Sequence, residues 1–148
     1  MELKPDPAID GALLGQFYFE SREIEVRLIP DGEDKSRCVP LLNAAVSSIE
    51  MLNPKFMSAA AVSLLNSYNE DWRHYSRSDG KGGSTDVHEP ELTSEGFIAR
   101  LKLVSISITG SELCCFGYDC AALFWGHSIF VSSFDGEGFS DLHAELFG

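Results

Sequence analysis

Hydrophobic and polar positions change rhythm three times along this chain. Near the amino end the rhythm is two: Phe17 and Phe19 alternate with Gln16 and Tyr18, so residues 15–20 read as a strand. Ile24, Val26 and Leu28 alternate with Glu25 and Arg27, which marks a second, half-buried strand. The polar link Glu20-Ser-Arg-Glu23 makes the pair a hairpin, and Pro30-Asp-Gly-Glu-Asp34 ends it with turn chemistry. A helical rhythm follows. Val39, Leu42, Val46 and Ile49 form an apolar stripe, with Asn43, Ser47 and Glu50 opposite and Pro40 in the first turn. Asn53-Pro54 is expected to stop this helix and cap a second over residues 54–71, on which Phe56, Ala60, Leu64 and Tyr68 recur every fourth position. So short a joint predicts a helical hairpin. Thr93 looks like the N-cap of a short third helix that buries Phe97, Ile98 and Leu101. The rhythm of two then returns in Val104, Ile106 and Ile108, in residues 113–116, in 126–133 and in 139–146. Gly110-Ser111 and Asp135-Gly-Glu-Gly138 supply turns within this series.

Segregated helices and strands of this kind predict a single α+β domain over residues 1–148. Its expected architecture is an antiparallel sheet of about six strands, from one hairpin and a four-strand meander, with three helices packed on one face. Residues 1–10 read as an irregular arm. Residues 76–92, with Ser-Asp-Gly-Lys-Gly-Gly-Ser-Thr and no apolar period, read as a long mobile loop.

Charge narrows the function. The net charge is -12, and from Leu103 to Gly148 six Asp and Glu stand without one Lys or Arg. Such a chain repels phosphates and attracts basic proteins, so neither a nucleic-acid binder nor a ligand of anionic membranes is expected. The amino terminus lacks a basic stretch followed by an apolar run, and no apolar segment nears the roughly 18 residues needed to span a bilayer, so a cytoplasmic protein is expected. Four cysteines, Cys38, Cys114, Cys115 and Cys120, include no Cys-x2-Cys pair. Free, mostly buried thiols are expected, with no metal and no cofactor.

No nucleophile elbow, zinc-protease helix or phosphate loop occurs, so a binding protein rather than an enzyme is expected and no catalytic residue is assigned. The last strand sets Asp141, His143 and Glu145 on one face and Leu142, Ala144 and Leu146 on the other. With Asp135 and Glu137 in the preceding turn this makes an acidic edge able to dock Lys and Arg side chains of a partner. Asp79 and Asp86 in the loop are further candidates. An alternative site groups His127, Asp119 and Cys120 around Trp125, as a ligand pocket or an unrecognised active site. His127 shares the apolar face of Ile129 and Val131, which also suits a plain core histidine.

Three segments carry a resemblance: Tyr68-Asn-Glu-Asp-Trp72, Leu103-Val-Ser-Ile106 and Leu123-Phe-Trp-Gly-His-Ser-Ile129. Together they resemble small bacterial domains of unknown function that run from a hairpin through helices to Leu-Phe-Trp-Gly-His-x-Ile, over about residues 12–148. Many of those domains approach the Leu-Phe through an Asp-Gly-Asp-like turn, where this chain has Asp119-Cys-Ala-Ala122. Several such small acidic families resemble immunity proteins encoded beside secreted toxins. The resemblance implies a stoichiometric neutraliser of a basic toxin, for example a nuclease. A small-ligand-binding domain, an enzyme, or a subunit that buries its sheet face in a homodimer are the alternatives.

Overall fold

A computed structural model describes residues 1–148. It is a mixed α+β domain in which a seven-stranded, mostly antiparallel sheet carries three helices on one face. The strands are β1 (Lys4–Pro5), β2 (Leu13–Phe19), β3 (Arg22–Ile29), β6 (Lys102–Thr109), β7 (Leu113–Asp119), β8 (Ser128–Ser133) and β9 (Leu142–Phe147), in the spatial order β1-β2-β3-β6-β7-β8-β9. The expected hairpin is β2–β3, closed by Glu20 and Ser21, both with positive φ. That conformation twists a two-residue turn to match its strands. The expected meander is β6 to β9.

The two halves meet through a parallel pair, β3 beside β6, which alternation alone does not announce. Parallel neighbours need a long crossover. Here that crossover holds α1 (Lys35–Ser47), α2 (Ile49–Ser67), α3 (Ser94–Ile98) and a separate two-stranded ribbon, β4 (His74–Ser78) with β5 (Ser84–His88). A single excursion from one strand to its neighbour thus lays every helix on the same face. The core lies between: Ile24, Val26 and Leu28 of β3, Ile106 and Ile108 of β6, and Phe116 and Tyr118 of β7 are buried under Leu41, Leu42, Leu52 and Phe56. The opposite face is uncovered, and register aligns Glu25, Ser105, Gly117, Phe130 and Glu145 across it.

Several elements differ from the sequence reading. The helix boundary falls at Ser48, not at Asn53-Pro54. Asn53 is buried and its side chain accepts a hydrogen bond from the Tyr118 hydroxyl at 2.7 Å, so it is a core polar group and not a cap. Pro54 lies inside α2. Near a helix start its missing donor removes one bond, to the carbonyl of Glu50, whose residue is exposed to water. The buried side of α1 is Cys38, Leu41, Leu42 and Ala45, with Val39 and Val46 only half-buried, so the apolar stripe is turned from the one expected. Asp34 caps this helix through Ser36 N at 2.9 Å, which starts it before Val39 and sets Pro40 in its interior. Nor do α1 and α2 lie along each other as a hairpin: α1 covers β3, β6 and β7, while α2 covers β8 and β9.

The amino-terminal arm contains the edge strand β1. A Cβ at Gly15 would stand 2.8 Å from the Glu2 carbonyl, so only glycine admits the arm so close. Asp6 anchors it, accepting from Ala8 N at 2.8 Å and from Arg27 Nε at 2.6 Å. The Ala8 amide, assisted by Arg27, holds the Asp6 carboxyl below the usual range. Residues 76–92, read as a loop, contain most of the ribbon: Ser76 and Arg77 pair with Asp86 and Thr85. With no core face of its own, this ribbon shows no clean hydrophobic alternation.

Candidate functional site

The loop between β7 and β8 carries the Leu-Phe-Trp-Gly-His motif and turns sharply through Ala121 and Trp125, both at φ 54°. Gly126 follows at φ 91°, where a side chain would add strain. The turn drives Leu123 and Phe124 into the core and swings Trp125 outward, where it is 56% exposed. Phe124 meets Tyr68 and Trp72 edge-on, at 5.8 and 5.4 Å between ring centroids. Trp125 lies against Trp72 at 4.6 Å and donates its indole N–H to the Trp72 carbonyl at 3.1 Å.

Trp72 comes from a single π-helical turn, Tyr68–Trp72, that extends α2 and closes with Arg73 N donating to the Tyr68 carbonyl at 3.1 Å. Asn69 in that turn clasps Leu92 with both ends of its amide, each at 2.9 Å. The two most distinctive sequence segments therefore pack against one another.

That packing uses the groups of the alternative site on backbone. Asp119 accepts from Ala121 N at 2.9 Å, and the Cys120 thiol faces the His127 carbonyl at 3.0 Å. The His127 ring stands edge-on to Trp72, and its Nδ1 donates to the Phe124 carbonyl at 2.7 Å. A carbonyl only accepts, so that nitrogen carries the proton. His127 precedes β8 and is half-buried, outside the inward row of Ile129 and Val131. Burial, then the Asp119 charge, pushes the Cys120 thiol up, the wrong direction for a nucleophile. Burial pushes Cys114 further, to about 12. Asp119, Cys120, His127 and Trp125 are neighbours that brace a loop, and none is aimed at a common reacting atom.

A cleft does open beside them, lined by residues the sequence reading passed over. Tyr68, Trp72, Tyr75, Glu89, Pro90, Leu92 and Arg100 enclose about 170 Å³, with Ala122 and Leu123 at one wall. The Tyr75 hydroxyl donates to Glu89 Oε1 at 2.8 Å. The ribbon edge next to it pairs two histidines: His74 and His88 are cross-strand partners with Nδ1 atoms 2.6 Å apart. At that distance one nitrogen donates and the other accepts, so both rings cannot be charged. Desolvation, then Arg73 and His88, lowers the His74 pKa below the ordinary imidazole value, against the opposing pull of Asp71 and Glu91. A lowered base makes the unfolded ribbon bind the extra proton. The ribbon is therefore expected to keep its stability above pH of about 6.5 and to lose it as pH falls below that value. Faster amide exchange in residues 74–88 at pH 5 than at pH 7.5, after correction for intrinsic rates, is the expected result; His74→Gln should abolish the difference and His88→Gln should only reduce it.

At the other end of the sheet three connections converge. Gly110 N donates to the Ile29 carbonyl at 2.8 Å, Glu33 accepts from Ser111 N at 2.8 Å and Oγ at 3.0 Å, and Gly136 N donates to the Glu112 carbonyl at 3.0 Å. Asp31, Glu33, Asp34, Glu112, Asp135, Glu137 and Asp141 are thereby gathered with only Lys35 and Arg37 as cations. A shallow groove of about 510 Å³ runs between the first two connections, and Phe134, 49% exposed, forms one side. The carboxylate of Asp135 is held by Ser133 Oγ at 2.9 Å, Ser140 N at 3.1 Å and Ser140 Oγ. These bonds, the serine hydroxyls first, bring its pKa down to about 2. Asp141 accepts from His143 Nε2 at 2.9 Å, and that ring stands edge-on to Phe134 at 5.3 Å.

Of the acidic residues singled out from sequence, the structure gathers Asp135, Glu137 and Asp141 here. Glu145 lies mid-strand on the uncovered face, opposite Phe130. Asp79 and Asp86 sit on the ribbon, where Asp79 caps its own turn through Lys81 N at 2.7 Å and Asp86 accepts from Ser76 Oγ at 3.0 Å. Asp31, Glu112 and Phe134 escaped the sequence reading, because nothing local says that their turns meet.

Fold and surface together define a small α+β domain with an acidic loop end and a compact aromatic cleft at the other. The chain belongs to the bacterial family described as "Uncharacterized protein conserved in bacteria (DUF2262)", which it matches over residues 7–143. No curated protein and no solved structure shows significant similarity to it. No helix is long and apolar enough to cross a membrane.

Proposed function

We propose that this chain is a stoichiometric binding protein that neutralises a basic protein partner, in the manner of an immunity protein and its toxin. The observation that carries this reading is the acidic end itself, whose converging loops bear seven carboxylates and two cations, with Asp31, Glu33 and Glu112 lining one groove with the exposed Phe134. Asp135 and Glu33 are held by internal hydrogen bonds, so part of that charge is fixed in place before a partner arrives. Fixed charge of one sign speeds encounter with the opposite sign, and an aromatic ring entering a partner's pocket slows release. A nuclease active site, built to receive phosphate, offers the complementary surface. The reading needs no chemistry from the chain.

The test starts with the tagged chain, used at low salt to capture proteins from its native source, followed by release with rising salt. The captured protein is then produced alone and with the chain. A basic protein that arrests growth alone, and is silenced by the wild-type chain, is the expected outcome. Glu112→Lys with Glu137→Lys should weaken the complex about a hundredfold, since like charges at an interface cost several kcal/mol. Asp79→Lys with Asp86→Lys, on the distant ribbon, should leave it unchanged. Equal protection by all variants, or a captured partner that is itself acidic, would overturn the reading.

A further inference from the structure

The cleft beside the π-helical turn holds a polar atom without a partner. Tyr68 is 4% exposed and lines the cleft, yet its hydroxyl makes no hydrogen bond within the protein. The molecule contains no fully enclosed side-chain oxygen or nitrogen without a partner, so this hydroxyl reaches solvent through the cleft. A phenol at the base of an apolar cavity wants a partner, because a buried hydroxyl is rarely left unpaired.

The remaining walls say what that partner is. Arg100 lines the same cleft, and its guanidinium has no hydrogen bond or ion pair to any protein group. A guanidinium and a phenol facing one space suit a carboxylate, the anion that takes several donors at once. Glu89, also in the lining, spends Oε1 on Tyr75 and leaves Oε2 without a partner. That oxygen suits an ammonium group. Trp72, Tyr75, Pro90 and Leu92 supply apolar and aromatic surface between the charges. Burial raises the Tyr68 pKa first, and the Glu89 charge raises it further, so the hydroxyl stays a donor at neutral pH.

Size closes the argument. At about 170 Å³ the cleft lies below the roughly 300–1,000 Å³ of cofactor and drug-sized sites, which excludes a nucleotide. We propose that this cleft is a binding site for a small zwitterion of free amino-acid size, its carboxylate held by Arg100 and Tyr68 and its ammonium by Glu89. The site is at the far end of the sheet from the acidic loops and stands independently of the partner proposed for them.

Both tryptophans of the chain serve as the probe, since Trp72 lines the cleft and Trp125 packs against Trp72. The full chain is titrated at pH 7 with free L-amino acids, their decarboxylated amines and their deaminated acids, following tryptophan fluorescence and confirming by calorimetry. At least one zwitterion should bind saturably with a Kd of about 0.01–1 mM, with its amine and its acid far weaker. Arg100→Ala, an exposed position that leaves the fold intact, should weaken it at least about tenfold, and Tyr68→Phe should weaken it less. Arg37→Ala, in the acidic end, should bind as the parent does. No saturation by any zwitterion up to about 10 mM, preference for the amines alone, or equal binding by Arg100→Ala would each overturn the assignment.

Discussion

Phe124→Ala is expected to destabilise the domain by about 3–5 kcal/mol, the usual loss for deleting a fully enclosed phenylalanine. Phe124 is 0% exposed and touches three aromatic rings at once, Tyr68, Trp72 and Phe97. Tyr68 and Trp72 come from the π-helical turn and Phe97 from α3, so no single neighbour can relax into the space. A domain of this size is held by about 5–15 kcal/mol, and the variant should be only marginally folded at 37 °C. Chemical denaturation is the measurement: the midpoint should fall while the slope against denaturant is kept. Tryptophan emission of the folded variant should change too, because Trp72 loses the ring that orients it. Phe130→Ala makes the comparison. Its ring is half-buried on the uncovered face, stacked on the exposed Phe147, and should cost about 1 kcal/mol or less. Equal losses in the two variants would show that the motif loop is not anchored by Phe124.

Asn53→Ala is expected to cost about 1–3 kcal/mol although it removes few atoms, because it leaves the buried Tyr118 hydroxyl only the long contact to the residue-53 carbonyl, at 3.5 Å. Tyr118 is 0% exposed, and burial raises its pKa so that it remains a neutral donor. Tyr118→Phe should cost a similar amount by stranding the Asn53 amide. Asn53→Ala combined with Tyr118→Phe removes both polar groups and should cost less than the sum of the two single losses. The coupling between the two positions, read from a double-mutant cycle, should then exceed about 0.5 kcal/mol. Additive losses would mean that the Asn53–Tyr118 hydrogen bond contributes nothing to stability.

The Asn53-Pro54 dipeptide shows where sequence reading reaches its limit. Asn before Pro is a sound local signal for a helix start. It was overruled by an acceptor demanded from β7, 65 residues away. The rotated stripe of α1 has a similar origin. Cys38, Leu41, Leu42 and Ala45 face the core because the sheet lies on that side, and the rival stripe of Val39 and Val46 is just as apolar by composition. The ribbon escaped notice for the opposite reason: two polar strands pairing only with each other leave no pattern of burial. In the candidate sites, the acidity of the tail was plain in the composition, but its distribution was not. Glu145 and Asp141 look equivalent along β9, yet one faces the open sheet and the other joins the loop end.

The sequence by itself determined the α+β class, the β2–β3 hairpin, the meander from β6 to β9 and the excess of negative charge. These follow from alternation, turn chemistry and composition, which act between residues close in the chain. Tertiary structure alone decided the parallel junction of β3 with β6, the break at Ser48, the collection of acidic loops and the cleft behind Tyr68. Each depends on a bond between distant segments, as when Glu33 accepts from Ser111, 78 residues further on. Such bonds form only where the folded backbone brings their partners together, and no local pattern announces them.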